Sequence, residues 1–339
     1  MATEGTLQSV SLALDWTANT NHVGFYVAQA LGYYKEEGIS VEFLSPHVSN
    51  YEVTPASQVS ARQATFGLAP SETVISYHLP PARSKLVAVA AVLQDDLSAI
   101  ATLKQSGLCR PRDLDGKVYA SYAARFEGRI VQKLIQADGG AGNFEEATPD
   151  KLGIWNTLLQ NKADATWIFR AWEGVQAKRK GIELNEFILE EYGIPYCYSP
   201  VVIAHPDTLE EKPDVVRGFL RASAKGFAYS TANIESSAKI LLAQAPEHLD
   251  DLDMVMESLE FLSKTFLANP SGEWGTMASG KWSKFLDWLS ANKMLTTRIQ
   301  SRNPNPGVSV SLRDLLTSDG SSEEQIRVNA NDLFSNNFL

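Results

Sequence analysis

The side chains best suited to chemistry in this chain stand where apolar strands end. Trp16 closes the run Val10, Leu12, Leu14 and opens the polar stretch Thr17-Ala18-Asn19-Thr20-Asn21-His22. At the carboxyl edge of an open α/β sheet, where ligands bind, a Trp offers a flat apolar face and one N–H donor to a planar ring. The same Trp also serves to cap a core. Asn19 and His22 beside it either hydrogen-bond a ligand or hold the turn. Ser71 and Glu72 open a helix, where they either cap it or face a cleft. Phe169 and Glu173 are four residues apart, on one face of a helix that follows a strand, with Trp172 next to them. Tyr196 and Tyr198 precede a late strand, where they line a cleft or pack a hinge.

An alternation of strand and helix patterns must position these residues. Strands are expected at 9–15, 39–45, 64–68 and 85–93, with helices at 23–36, 54–62 and 70–78 between them. A further strand reads at 97–104. A second series follows, with strands at 118–120, 143–147, 163–168 and 187–189 and helices to about 137, over 150–160 and over 169–180. After the strand Val201-Val202-Ile203-Ala204, nearly everything from Pro206 to Ala291 has helical spacing. Beyond Arg302, Asn303-Pro304-Asn305-Pro306-Gly307 and the polar run from Ser318 to Glu324 read as loop. The order predicts an α/β protein of two βα lobes joined by a hinge, with a helical C-terminal part. Lobe I takes residues 1–104 and 205–339, lobe II residues 105–204, and the cleft between them suits a small ligand.

Other functions are excluded or lack a signal. The net charge of −10 provides no basic field for nucleic acid. No run of about 18 apolar residues is present to span a membrane. The N-terminus lacks a basic region followed by an apolar run, so a cytoplasmic location is expected, although a mature exported form behind a new Met reads the same. His22, His47, His78, His205 and His248 show no metal-ligand spacing. No glycine-rich phosphate loop occurs, and Gly139-Gly140-Ala141-Gly142 reads as a helix end. No metal or cofactor is expected. Cys109 and Cys197 are expected to be buried free thiols, with a single disulfide as the alternative.

Several segments carry a family resemblance. Leu12 to His22, then Tyr26-Val27-Ala28-Gln29-Ala30-Leu31-Gly32-Tyr33-Tyr34-Lys35-Glu36-Glu37-Gly38-Ile39, resembles the opening of the fungal hydroxymethylpyrimidine-phosphate synthases. It equally resembles the bacterial periplasmic proteins that bind formylaminopyrimidine for thiamin salvage. Thr65 to Glu72, Ala163 to Gly174 and Asp332 to Leu339 resemble later segments of the same family. The resemblance implies the two-lobed type II periplasmic-binding-protein fold and a thiamin-type pyrimidine as ligand. It places Trp16 on the ring, Glu173 at the amino edge, and Ser71, Tyr122, Tyr196 and Tyr198 around the pocket. Tyr122 and Arg125 fall where the synthase cradles a phosphate, and Arg125 at a helix start is a candidate to hold an anion.

The departures bear on activity. Where the synthase carries its pyridoxal-phosphate lysine and product-donating histidine, this chain has Ala69 and Thr73. Its cysteine-rich stretch corresponds to Gly193–Pro200, which holds one cysteine, Cys197. Without the amine there is no Schiff base. The expected function is therefore binding of a small nitrogen heterocycle, with a transporter as partner if the protein is exported. The rival is a cytosolic enzyme acting on a pyrimidine, with His22, Glu72 and Glu173 as acid/base groups. A regulatory sensor that binds a partner protein only when closed is the third reading.

Overall fold

The computed structural model describes residues 7–49, 53–80, 82, 84–149, 152–267, 272–297 and 324–339. The first strands are β1 (Gln8–Ala13), β2 (Ile39–Leu44), β3 (Phe66–Ala69) and β4 (Val87–Ala91). Next come β5 (Ser98–Leu103), β6 (Val118–Ala120), β7 (Glu145–Ala147), β8 (Ala165–Phe169) and β9 (Leu184–Phe187). The chain then returns through β10 (Val201–Ala204). Two five-stranded sheets result, in the orders β2-β1-β3-β10-β4 and β7-β6-β8-β5-β9. In the first, β1 runs parallel to β2 and β3, and β10 runs antiparallel to β3 and β4. In the second, β6 is parallel to β7 and β8, and β5 is antiparallel to β8 and β9. The α/β class expected from the alternation is the one observed. Two strands sit outside the lobes expected for them: β5, within 1–104, pairs inside the second sheet, and β10, within 105–204, pairs inside the first. Their partners lie far along the chain, where local patterning has no information.

The helices of the first half are α1 (Val23–Ala30), α2 (Tyr33–Glu36), α3 (Pro55–Ser60), α4 (Ser71–Tyr77), α5 (Glu127–Ala137) and α6 (Val175–Arg179). The helix expected over 23–36 is broken at Gly32, whose φ of +80° only a glycine adopts at little cost. The helix expected over 150–160 is absent from 152–160: these residues form turns that end in the 3₁₀ turn Leu158–Gln160, although their apolar spacing mimics a helix. The return strand leads into α7 (Pro206–Glu211), α8 (Pro213–Ala232), α9 (Ile234–Gln244), α10 (Leu252–Leu262) and α11 (Ser279–Ala291). A last short helix, α12, spans Ala330–Leu333. The breaker at 303–307 and all but Glu324 of the polar run at 318–324 lie outside the described residues.

Packing behind the first sheet fixes the exit of β1. A Cβ added to Gly226 would sit 1.9 Å from the Gly24 carbonyl oxygen, so α1 and α8 meet backbone to backbone at these glycines. Around them Phe25, Phe66, Phe219, Phe227 and Trp274 form one aromatic mass, with Phe66 and Phe219 stacked at 4.2 Å. Burying such rings contributes about 1.5–3 kcal/mol each. At the other edge the C-terminal tail covers β4: Ser335 donates its N–H to the Ala88 carbonyl at 2.9 Å. That occupies a strand edge that would otherwise invite pairing. Among the described residues no helix is long and apolar enough to cross a membrane.

Candidate functional site

The strand exits of both sheets converge on a cavity of about 240 Å³. From the first sheet come Asp15 and Trp16 after β1, Leu68 to Pro70 at the end of β3, and Glu72, Thr73, Ser76 and Tyr77 of α4. The second sheet contributes Tyr122, Ala124, Arg125 and Glu127 between β6 and α5, with Trp167 and Phe169 of β8. Tyr196 and Ser199 enter from the segment before β10. Trp16 and Tyr122 meet edge to face across the two halves, centroids 6.1 Å apart. Tyr196 lies against Trp167 at 5.4 Å and against Phe285 of α11 at 5.0 Å. Aromatic side chains thus form much of the wall.

The polar groups of this wall are strongly held. Glu72 is buried; its Oε1 accepts from the Phe126 N–H at 3.3 Å and its Oε2 from the Tyr196 hydroxyl at 3.1 Å. Burial, helped by the neighbouring Glu127 charge, raises its pKa from 4.5 to about 7. Glu127 accepts from the Tyr119 hydroxyl at 2.7 Å and from the Tyr122 and Ala124 N–H groups at 3.0 and 3.1 Å. Burial pushes its pKa upward despite these donors. Arg125, read as a candidate anion holder, sends its guanidinium to the carbonyls of Ser76, Pro80 and Thr296. Those bonds tie the start of α5 to the first-sheet side, and the cation serves as a cross-brace.

Trp16, Glu72, Tyr122, Arg125, Phe169 and Tyr196, singled out in the sequence, all line the cavity. Asn19, His22, Ser71, Trp172, Glu173 and Tyr198 are not among its lining residues. Asn19 caps the turn, its Oδ1 accepting from the Asn21 N–H, and His22 is fully buried behind it. Ser71 is fully buried, with its N–H on the Tyr198 carbonyl. Tyr198 turns away, its hydroxyl accepting from the Ala278 N–H at 2.8 Å. Trp172 borders a separate depression with Gln176, Arg179 and Lys180. Glu173 caps its own turn: Oε2 accepts the Phe169 N–H at 3.0 Å, and burial raises the pKa to about 7. The cysteines are both free. Cys197 is buried, its thiol pushed up to about 12, whereas Cys109, expected to be buried, is exposed on the loop after β5.

Sequence reasoning missed Asp15, Tyr77, Trp167 and Ser199 as lining residues. Trp167 could have been found: it lies two residues before Phe169 on β8 and so shares its face. Asp15 stood next to Trp16 at the same strand exit. Among the described residues no group of three His, Cys, Asp or Glu side chains is placed to hold a metal ion.

Residues 19–236 match the family described as NMT1/THI5 like. The chain belongs to the NMT1/THI5-like family. A formylaminopyrimidine-binding protein of Halalkalibacterium halodurans is 27% identical over 299 residues, covering 85% of this chain and 87% of the relative. A 4-amino-5-hydroxymethyl-2-methylpyrimidine phosphate synthase of Legionella pneumophila is 25% identical over 293 residues, covering 84% and 89%. Among solved structures, the alkanesulfonate-binding protein SsuA from Xanthomonas axonopodis pv. citri, bound to MOPS, superposes with a TM-score of 0.66. The match covers 87% of this chain and 96% of that one at 11% identity, which establishes a shared periplasmic-binding-protein fold. In this NMT1/THI5-like protein, Ala69 and Thr73 line the cavity at the positions the resemblance assigns to the synthase's lysine and histidine.

Proposed function

We propose that this protein binds a small nitrogen heterocycle, a thiamin-type pyrimidine, in the cavity between its two sheets. The observation that carries the reading is the cavity itself: Trp16 and Tyr122 enter it from opposite sheets, beside buried hydrogen-bonding carboxylates. Its volume of about 240 Å³ lies below the roughly 300–1,000 Å³ of drug-sized sites, which suits one substituted ring. Trp16 stacks on the ring, with Tyr122, Phe169 and Tyr196 closing the wall. The binding activity of the relative from Halalkalibacterium halodurans supports the same class of ligand. Ala69 and Thr73 offer neither an amine for a Schiff base nor an imidazole, which favours binding over the synthase chemistry.

The lobes move about the two crossings between the sheets, the β4–β5 connection and the segment before β10, and ligand contacts from both sides stabilise the closed form. Where the protein works decides its partner. We propose a cytoplasmic site of action; recovery of the native chain in an exported fraction would replace that with delivery to a membrane transporter.

A thermal-shift and calorimetric panel tests the reading with formylaminopyrimidine, hydroxymethylpyrimidine, a flavin, an alkanesulfonate and pyridoxal phosphate. A pyrimidine at a hundredfold over its Kd adds about 2.7 kcal/mol to stability. Stabilisation by the sulfonate or the flavin, with none by either pyrimidine, overturns the proposal. Stabilisation by pyridoxal phosphate alone would return the synthase-like enzyme to first place.

A further inference from the structure

We infer that Asp15 is the specificity-determining acceptor of the cavity, oriented by His22 so that its second oxygen takes a hydrogen bond from an amino group on the ligand. The inference rests on the heterocycle-binding reading above and names the ring edge that the site recognises. Among the described residues three carboxylates line the cavity: Asp15, Glu72 and Glu127. Both oxygens of Glu72 already accept, from the Phe126 N–H and the Tyr196 hydroxyl. Both oxygens of Glu127 accept as well, from Tyr119, Tyr122 and Ala124. Asp15 differs. Its Oδ1 lies 2.8 Å from His22 Nε2, and among the described residues its Oδ2 has no protein hydrogen bond.

The geometry around His22 fixes which atom carries the proton. The Asn19 N–H donates to His22 Nδ1 at 3.3 Å, so Nδ1 is an acceptor and the proton sits on Nε2. Nε2–H then donates to Asp15 Oδ1, and this tautomer brings no countercharge. His22 is fully buried, and Asn19 is itself held by the Asn21 N–H on its Oδ1 and by its own donation to the Thr17 carbonyl. The run from Asp15 to His22 therefore presents one unengaged carboxylate oxygen at the strand exit that also supplies Trp16. An acceptor beside a stacking ring reads donors on the perimeter of the stacked ligand. The exocyclic amine of a 4-aminopyrimidine is such a donor. In the 4-oxo analogue the same position is an acceptor and opposes the carboxylate.

The test is calorimetric titration with 4-amino-5-hydroxymethyl-2-methylpyrimidine and its 4-oxo counterpart. The unmodified protein is expected to prefer the amino compound by about 10- to 100-fold, the usual effect of one hydrogen bond to a charged group. In Asp15→Asn, the Nε2–H of His22 draws the amide oxygen to itself and leaves the NH₂ group for the ligand, so the preference reverses toward the oxo compound. His22 is a positioning residue. Adding His22→Phe to Asp15→Asn removes the group that orients the amide, and the reversed preference collapses toward parity. A thermal melt of each variant checks folding, and the preference of the unmodified protein requires no variant. Equal binding of the two compounds by the unmodified protein, or an unchanged preference in a folded Asp15→Asn, overturns the inference while the binding reading stands. Failure of the unmodified protein to bind either compound removes the pyrimidine reading and this inference with it.

Discussion

After β1 the chain runs through Asp15 and Trp16 into a turn closed by Asn19 and His22. After β8 it runs from Phe169 into a wide helical turn, Arg170–Gly174, that contains Trp172 and Glu173. Each region joins a strand to a helix and carries an aromatic residue and an acid. In the first, neutral groups satisfy the turn's amides: Asn19 Oδ1 takes the Asn21 N–H, and His22 Nδ1 takes the Asn19 N–H. The acid is left to face the cavity. In the second, the Phe169 N–H is taken by Glu173 itself, so the acid is withdrawn and only Phe169 reaches the cavity wall. Backbone donors inside a protein must find an acceptor, and the side chain that answers this demand is lost to the ligand.

The largest effect is expected at His22. His22→Ala removes a fully buried ring and leaves the Asn19 N–H without its acceptor, a loss of about 3 kcal/mol. Denaturant unfolding would report it as a lower midpoint at constant slope. A change below half that size would mean that the first turn is held by something other than its neutral caps.

Next comes the contrast between the aromatic residues that the two turns deliver. Trp16→Ala should weaken pyrimidine binding by roughly 10- to 100-fold, the usual worth of a stacking side chain. Trp172→Ala, which lies at the other depression, should leave the affinity within about twofold. Titration of both variants separates the regions; equal losses would place the ligand elsewhere.

The two turns also differ in what the sequence reveals. The strands were legible because apolar alternation and glycine punctuation are local: β2 was expected at 39–45 and runs Ile39–Leu44, and β10 falls on the expected Val201–Ala204. The sheet that claims β5 was not legible, since its pairing with β8 is set by residues more than sixty positions away. In the same way, Trp16 and Phe169 could be read as cavity residues from their places at strand exits. The direction of an acid could not. Asp15 passed unnoticed and Glu173 was assigned to the ligand, because the outcome depends on which neighbouring amides other side chains satisfy. That is a property of the folded turn and has no residue-type signature.

A pH series examines the withdrawn acid. Burial raises Glu173 to about 7 from an ordinary 4.5, so between these values the folded chain holds a proton that the unfolded chain has released. Stability contributed through this group therefore falls as pH rises through that window, and the full cost is present above pH 7. Glu173→Gln keeps an acceptor oxygen for the Phe169 N–H and cannot ionise. It should match the unmodified protein near pH 4 and exceed it by about 3 kcal/mol at pH 8. Ligand affinity should not change, in contrast to substitutions at Asp15. A Glu173→Gln variant that melts lower than the parent at pH 8 would show that the ionised carboxylate is needed in the turn.

The smallest expected effect probes the neutral caps directly. Asn19→Ala removes the Oδ1 that accepts the Asn21 N–H at 2.9 Å and the amide that donates to the Thr17 carbonyl. Loss of such a cap costs about 1 kcal/mol. The backbone N–H of Asn19 that fixes the His22 tautomer survives this substitution, so Asp15 should keep its orientation and the preference between amino and oxo pyrimidines should persist. If stability falls by about that amount while the preference holds, Asn19 supports the turn and His22 alone sets the carboxylate. If the preference is lost with only this small fall in stability, the side chain of Asn19 takes part in orienting Asp15, and the positioning unit extends across the whole turn.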